Sequence, residues 1–334
     1  MKKIIIGIFI LIIISFIIPI VFTMNFQTVS TNSVEELNVQ NQVKPEIKEY
    51  DYKQYNTIKV LHKQTNEIQE MPIDEYLYGV VSAEMPVDFE LQALQAQAIV
   101  ARTYTIYKIL QSEGKHGEAQ ICDDSTCCQA WISKEKRFER WPDNQEERWN
   151  KIISAVENTK GKIITYNGEP INAFFHSNSG GTTETPLNVW GGSGYPYLQA
   201  VATSGEDSYT QYSSEFIISK KDFIKKIEEY HKDFSINFNL QDCIKTTEYT
   251  DGNRVKTISI GNINFSGVEI RKIFGLKSAN FSINICGDDI KFDVKGYGHG
   301  VGMSQTGADS LAKQGANYEE IIKHFYTGVE IIDI

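Results

Sequence analysis

The sequence predicts an α+β fold, in which β-hairpins and small sheets stand apart from a set of helices around a cleft. Three observations carry that expectation. Thr57-Ile-Lys-Val-Leu-His62 and Glu67-Ile-Gln-Glu-Met-Pro-Ile73 alternate apolar and polar residues on either side of Gln64-Thr-Asn66, the pattern of a hairpin. Lys162–Tyr166 and Glu169–His176 flank Asn167-Gly168, whose tolerance of positive φ suits a two-residue type I′ turn. Between and after them, apolar residues recur at helical spacing in separate stretches.

The elements follow in order. Met1-Lys2-Lys3 precedes an uncharged, Ile-rich run from Ile4 to about Phe22, long enough at about 1.5 Å per residue to span a bilayer core. No small-residue cleavage pattern ends it, and the two lysines place the N-terminus inside. Residues 1–23 therefore read as a transmembrane signal anchor and 24–52, rich in Asn, Gln and Glu without a period, as a linker. Residues 53–334 read as one domain outside the cytoplasm.

After the first hairpin, a short helix from Asp74 through Val81 is expected to end at Glu84, because Pro86 pushes Met85 out of helical geometry. A long helix from about Phe89 to Leu110 follows, with Leu91, Leu94, Ala98, Ala101 and Thr105 on a packed face. Further helices are expected over 146–158, 219–231, 266–275, from the Ser304 region through Lys313, and over 318–326, with a short strand closing the chain. Ser266-Gly-Val-Glu269 has the form of a capping box.

Glu84 is flanked by Val80, Val81, Ala83 and Met85. A carboxyl in apolar company loses solvation, which raises its pKa towards the range of a general acid. The competing reading is an ordinary exposed carboxylate at a helix end.

His116, Cys122, Cys127 and Cys128 offer the ligand types of a structural zinc site within one short loop. Adjacent residues diverge in regular structure, so Cys127 and Cys128 reach one ion only in a turn. A disulfide from Cys122 to Cys127 or Cys128, or plain buried thiols, are the rival readings. Cys243 and Cys286 pair or stay free with nothing to decide between them.

His176-Ser177-Asn-Ser179-Gly-Gly-Thr-Thr-Glu184 places small hydroxyls beside glycines, which suits hydrogen bonding to an approaching chain. No nucleophile-elbow pattern supports a serine hydrolase. Trp190 to Gln199, including Tyr197, is rich in aromatics and glycine and suits either stacking on a flat ligand or core packing. Gly296-Tyr-Gly-His299-Gly-Val-Gly-Met-Ser304-Gln305 is a second glycine-rich loop. It does not open an early βαβ unit, which argues against a dinucleotide site. The net charge of −10, from 33 Lys+Arg and 43 Asp+Glu, argues against a duplex nucleic-acid partner.

Three of these stretches together resemble the stage II sporulation protein D family: Gly79 to Pro86 running on through Leu94–Tyr104, Phe174–Glu184, and Gly296–Ala308. The resemblance spans roughly residues 57–334. It implies a membrane-anchored lytic transglycosylase that cleaves peptidoglycan glycan strands during forespore engulfment, with the Glu of Glu-Met-Pro, here Glu84, as catalytic acid. It places Arg102 and Tyr104 in the cleft and suggests Ser177, Ser179, Tyr197, His299, Ser304 and Gln305 as substrate contacts. Some members hold zinc in the corresponding loop. His116, Cys122 and Cys128 fit that arrangement, and Cys127 stands where another member offers a second His. Some members carry Lys at the position of Gln199. Implied partners are a wall amidase and a membrane protein of the engulfment machinery, at the mother-cell membrane facing the septal wall. The alternative function is a non-catalytic wall-binding protein or amidase enhancer.

Overall fold

The computed structural model describes residues 52–111 and 114–334; the expected anchor over 1–23 and all but the last residue of the linker expected over 24–52 lie outside them. Among the described residues no helix is long and apolar enough to cross a membrane. The α+β expectation holds for this part of the chain, with five small sheets and separate helices.

Strands β1 (Thr57–His62) and β2 (Glu67–Pro72) form the first hairpin, paired from Thr57↔Pro72 to His62↔Glu67, with Asn66 at φ 60° in the turn. Helix α1 (Ile73–Glu84) follows directly. Met85 is extended at φ −120°, ψ 142°, as expected of a residue before proline. Helix α2 (Leu91–Gln111) departs from its expected single packed face: every residue from Ala93 to Ile106 is buried. Small side chains at Ala93, Ala96, Ala98 and Ala101 let neighbours approach on all sides, as in a central core helix. Around it pack α1 and four later elements: helices 145–157, 305–313 and 318–325 and strand 162–166.

Strand β3 (Ile121–Cys122) adds to β1 in parallel, Leu61 opposite Cys122. Helices α3 (Lys134–Arg140) and α4 (Gln145–Glu157) lead to β4 (Lys162–Tyr166) and β5 (Glu169–Pro170). Asn167 and Gly168 take φ 53° and 81° in the expected tight turn. The second arm of this hairpin is shorter than expected. The chain leaves β4 after Pro170, and β6 (Phe175–His176) instead pairs in parallel with Met303–Ser304. Helix α5 (Pro186–Trp190) lies between that departure and the next strand.

Residues 213–295 build a second core. Strands β7 (Ser213–Ser219), β8 (Ile244–Tyr249), β9 (Val255–Ile260), β10 (Ile263–Ser266), β11 (Asn280–Cys286) and β12 (Asp289–Lys295) form two antiparallel three-stranded sheets. Between them pack α6 (Lys220–Glu228) and α7 (Gly267–Phe274), with Phe223 stacked on Phe274 at 5.0 Å and 12°. Ser266 accepts from Glu269 N at 3.1 Å, but the Glu269 side chain binds His231 at 2.9 Å, so half of the expected capping box is absent. A full capping box stands at Asn317 and Glu320. Cys243 and Cys286 are both unpaired.

The chain closes with β13 (Met303–Ser304), α8 (Gln305–Lys313), α9 (Tyr318–Phe325) and β14 (Glu330–Asp333). β14 covers the free edge of β4. The β6–β13 pair sets two glycine-rich loops side by side, 128 residues apart in register from Phe175 to Met303. Gly300 and Gly302 take φ 87° and 72°, and a Cβ at either would overlap Arg254 or the Phe174 carbonyl.

Candidate active site

Glu84 ends α1 and is half-buried. Its Oε1 accepts from Ala130 N at 2.9 Å, and the Gln305 side chain donates to the same carboxyl. Burial raises its pKa above the ordinary value, opposed by those two hydrogen bonds. Two connected lobes of a cleft meet at this group. One, of about 430 Å³, is lined by Asp88, Arg137, Trp141 and Arg148; the other, of about 730 Å³, by Tyr104, Trp190, Arg271, Tyr297 and His299. Glu84, Ser177 and Gln305 line both lobes and form the waist between them.

Carboxylates are sparse here. Among the described residues that line the two lobes, Glu84 and Asp88 are the acids. Asp88 is exposed, lies 3.5 Å from Arg148 and lines the smaller lobe alone. Among the described residues, Glu84 is the one acid that lines both lobes.

The cleft floor is tied by a second, deeper carboxylate. Glu206 is 1% exposed and accepts from Ser179 N and Gly181 N, both at 3.1 Å, from Thr203 at 2.7 Å and from Thr306 at 3.0 Å. The hydroxyls of Ser179 and Ser304 donate to it as well. Burial opposes its charge, yet the hydrogen bonds from Ser179, Ser304 and Thr203 hold its pKa below 4.5. Thr306 N donates to Ser177 O at 3.0 Å, which fixes Ser177 against the start of α8. Arg254, 3% exposed, reaches from the second core to donate to Ser179 O at 3.0 Å and Thr182 O at 2.9 Å.

His176 and His299 lie 5.7 Å apart in the larger lobe, and burial first, then neighbouring cations, push both pKa values down, His299 to about 4. Both rings are therefore neutral. His299 Nδ1 accepts from Val301 N at 3.0 Å, leaving Nε2 as the donor. Trp190, half-exposed, packs 4.7 Å from Phe174 and 5.1 Å from His299, which makes an aromatic wall.

Of the residues singled out in the sequence, Tyr104, Ser177, His299 and Gln305 line the cleft with Glu84. Four others do not. Arg102 is 1% exposed; it pairs with Asp74 at 2.9 Å and donates to Thr159 O at 2.8 Å, holding α1, α2 and the end of α4 together. Leaving one partner of such a buried pair alone costs about 3–5 kcal/mol, so its place is structural. Ser179 and Ser304 are buried against Glu206. Tyr197 is buried and its hydroxyl accepts from Asn172 N at 3.0 Å. Gln199 also stays off the cleft, donating to Pro196 O at 2.9 Å.

His116, Cys122, Cys127 and Cys128 bring their ligand atoms within 4.8 Å of one another. Cys127 N and Cys128 N both donate to Asp124 O, at 3.0 and 2.7 Å, a single helical turn that lets adjacent cysteines converge. His116 Nε2 lies 3.4 Å from Cys128 Sγ and 3.9 Å from Cys127 Sγ. A tetrahedral zinc with ordinary bond lengths requires about 3.6 Å along that edge. The cysteines are all unpaired, and the donor set fits zinc. The loop then runs to Gln129, which donates to Thr105 at 2.9 Å on α2, and to Ala130, whose N–H holds Glu84.

A family model described as "Stage II sporulation protein" matches residues 61–166. Over 277 residues, the chain is 35% identical to stage II sporulation protein D of Bacillus amyloliquefaciens and 34% to that of Bacillus subtilis (strain 168). Each match covers 82% of this chain and 78% of the relative. The chain belongs to the stage II sporulation protein D family. It is also 30% identical over 304 residues to the amidase enhancer of Bacillus subtilis (strain 168), of which the match covers 40%.

Membership in that family accounts for the three motifs meeting in one cleft, but not for the residues that hold them. Glu206, Arg254, Arg137 and Arg271 carry no motif signal: each lies outside the three motif stretches, among other charged residues that look the same in sequence. A sharper clue was the run of hydroxyls at Ser177, Ser179 and Ser304, which needed a buried acceptor. Glu206→Gln should destabilise the domain on the order of 3 kcal/mol, since buried donors lose their acceptor. Its folded pKa lies below that of the unfolded chain, so the Glu206 contribution is present above about pH 4.5 and fades as pH falls. Urea denaturation of both proteins across pH should show the gap closing in acid; a constant gap refutes the assignment.

Proposed function

We propose that this protein is a lytic transglycosylase that cleaves peptidoglycan glycan strands between N-acetylmuramic acid and N-acetylglucosamine in sporulation, during forespore engulfment. The observation that carries the proposal is a solitary, partly desolvated carboxyl at the waist of a two-lobed cleft. Cleft on both sides of one acid suits an internal bond of a polymer. Glycoside hydrolysis uses two carboxyl groups facing each other across the bond, whereas an intramolecular displacement needs one that acts twice. Glu84 protonates the glycosidic oxygen as the bond to the anomeric carbon breaks. The carboxylate so formed then takes the proton of the muramic C6 hydroxyl, whose oxygen attacks that carbon. The product is a 1,6-anhydro end, and no water is consumed. Tyr104, Ser177, His299 and Gln305 are the substrate contacts in this reading, joined by the half-exposed Trp190.

Glu84→Gln keeps the shape and removes the transferable proton, so turnover should fall by about 10²–10⁴ while folding survives. In the wild type, kcat/KM should decline as pH rises through a Glu84 pKa above 4.5. Mass spectrometry of digested glycan strands should find ends one water lighter than hydrolysed ones. Reducing ends would indicate a hydrolase instead, with Asp88 as the second carboxylate. The likeness to an amidase enhancer favours a second reading, a wall-binding protein without catalysis, and intact strands after incubation would select it.

His116, Cys122, Cys127 and Cys128 are proposed to hold a structural zinc. Four protein ligands leave no open position for water, so the ion supplies rigidity to the loop that presents Ala130 N–H to Glu84. Metal analysis should give about one zinc per chain, and Cys128→Ser should lower both zinc content and Tm. A metal-free wild-type protein of unchanged Tm would end this proposal.

The Ile4–Phe22 run is proposed to anchor the chain with its domain outside the cytoplasm, at the mother-cell membrane facing the septal wall. There a wall amidase and a membrane protein of the engulfment machinery are the partners suggested by the family. Protease added to intact protoplasts should digest the domain; protection of the domain would reverse the orientation.

A further inference from the structure

With a net charge of −10, the molecule as a whole repels an anionic polymer. Its cleft carries the opposite bias. The charged residues lining the lobes are Glu84, Asp88, Arg137, Arg148 and Arg271. Arg148 offsets Asp88 at 3.5 Å, and burial holds Glu84 towards its neutral form. Two cations are left over, Arg137 in the smaller lobe and Arg271 in the larger. Neither has a carboxylate within ion-pair distance among the described residues.

Both guanidinium groups are held in place without being neutralised. Arg137 stacks over Trp141 at 5.0 Å, and its Nε is buried with no hydrogen-bond partner. Arg271 Nε donates to Leu276 O at 3.3 Å, which turns the Nη edge away from that anchor. Burial lowers the pKa of each, as expected of a cation kept from water without a counter-ion. A half-buried, pre-oriented guanidinium offers two parallel donors that match a carboxylate. The half-exposed rings of Trp190 and Tyr297 stand in the larger lobe beside Arg271 and offer faces to a sugar.

We infer that Arg137 and Arg271 are carboxylate-binding residues, one in each lobe, that engage anionic groups of the wall polymer on either side of Glu84. The inference rests on the proposed peptidoglycan substrate. Two sources supply such a carboxylate: the lactyl group of muramic acid where no peptide is attached, and the stem peptide where one is.

The test measures binding in a Glu84→Gln background, so that no turnover is needed. Peptide-free glycan, peptide-bearing glycan and a neutral N-acetylglucosamine hexamer are compared. Adding Arg137→Gln or Arg271→Gln should weaken binding of a carboxylated glycan about ten- to a hundredfold and leave the neutral hexamer unchanged. Arg271→Lys should restore part of the loss. Dependence on peptide-free glycan assigns the lactyl carboxylate; dependence confined to peptide-bearing glycan assigns the peptide. Unchanged binding of both carboxylated glycans, or an equal loss for the neutral hexamer, overturns the inference. If the wild type forms no anhydro ends while the arginine dependence holds, the lytic reading fails and the subsites stand.

Discussion

The candidate cleft depends on a buried charge that lines neither of its lobes. Glu206 gathers hydroxyls and backbone N–H groups from the loop at 177–181 and from the start of α8 at 304–306. The strand pairing between those two segments is short, two residues of β6 with β13, and is extended by Thr306 N–H to Ser177 O and by the Asn178 amide to Thr306. The carboxylate adds the buried acceptor that these contacts do not provide. An ionised group in the interior is tolerated when its lone pairs are filled, and here five residues fill them. Ser177 and Gln305, each one residue past the paired His176 and Ser304, take their places beside Glu84 from that arrangement together with the strand pair.

Much of the fold was legible because its signals are local. The first hairpin, the break at Met85, the Asn167-Gly168 turn and the helices near their expected bounds each follow from spacing or from one residue's backbone preference. The departures have non-local causes. A helical pattern marks the residues that repeat, and in α2 the intervening small residues are buried too, because elements arrive from every side. The hairpin arm after Pro170 is cut short because Phe175–His176 pairs instead with β13, more than a hundred residues later. Glu269 abandons its own helix cap for His231, a partner 38 residues away.

The candidate site divides along the same line. Glu84, Gln305, Ser177, Tyr104 and His299 sit in motifs dense enough to stand out, and they meet at one cleft. Arg102, Ser179 and Ser304 come from the same motifs, and Tyr197 from the aromatic stretch at 190–199, yet all four point inward. Motif membership reports that a residue is needed at its place; it does not say whether a ligand or a neighbouring strand needs it. Arg102 illustrates the difference. The family resemblance placed it in the cleft, and its length instead spans α2 to Asp74 and to the Thr159 carbonyl just past α4. Arg137 and Arg271 show the converse, since both reach the cleft from outside any motif.

In the proposed reaction, the environment of Glu84 has to satisfy two opposed demands. A group that first gives a proton is helped by a raised pKa, and one that then takes a proton must be a stable carboxylate for the duration of the second step. Burial alone would favour the first and penalise the second. The Ala130 N–H at 2.9 Å and the Gln305 amide stabilise the anion without supplying a full positive charge. An arginine or lysine within ion-pair distance would have kept Glu84 ionised at rest and removed its acidity. The cations of the cleft lie in the lobes and form no ion pair with the acid, which suits the proposed role of attracting an anionic chain without quenching Glu84. Neutral His176 and His299 fit the same requirement, because a protonated imidazole beside the waist would depress the Glu84 pKa as a lysine would.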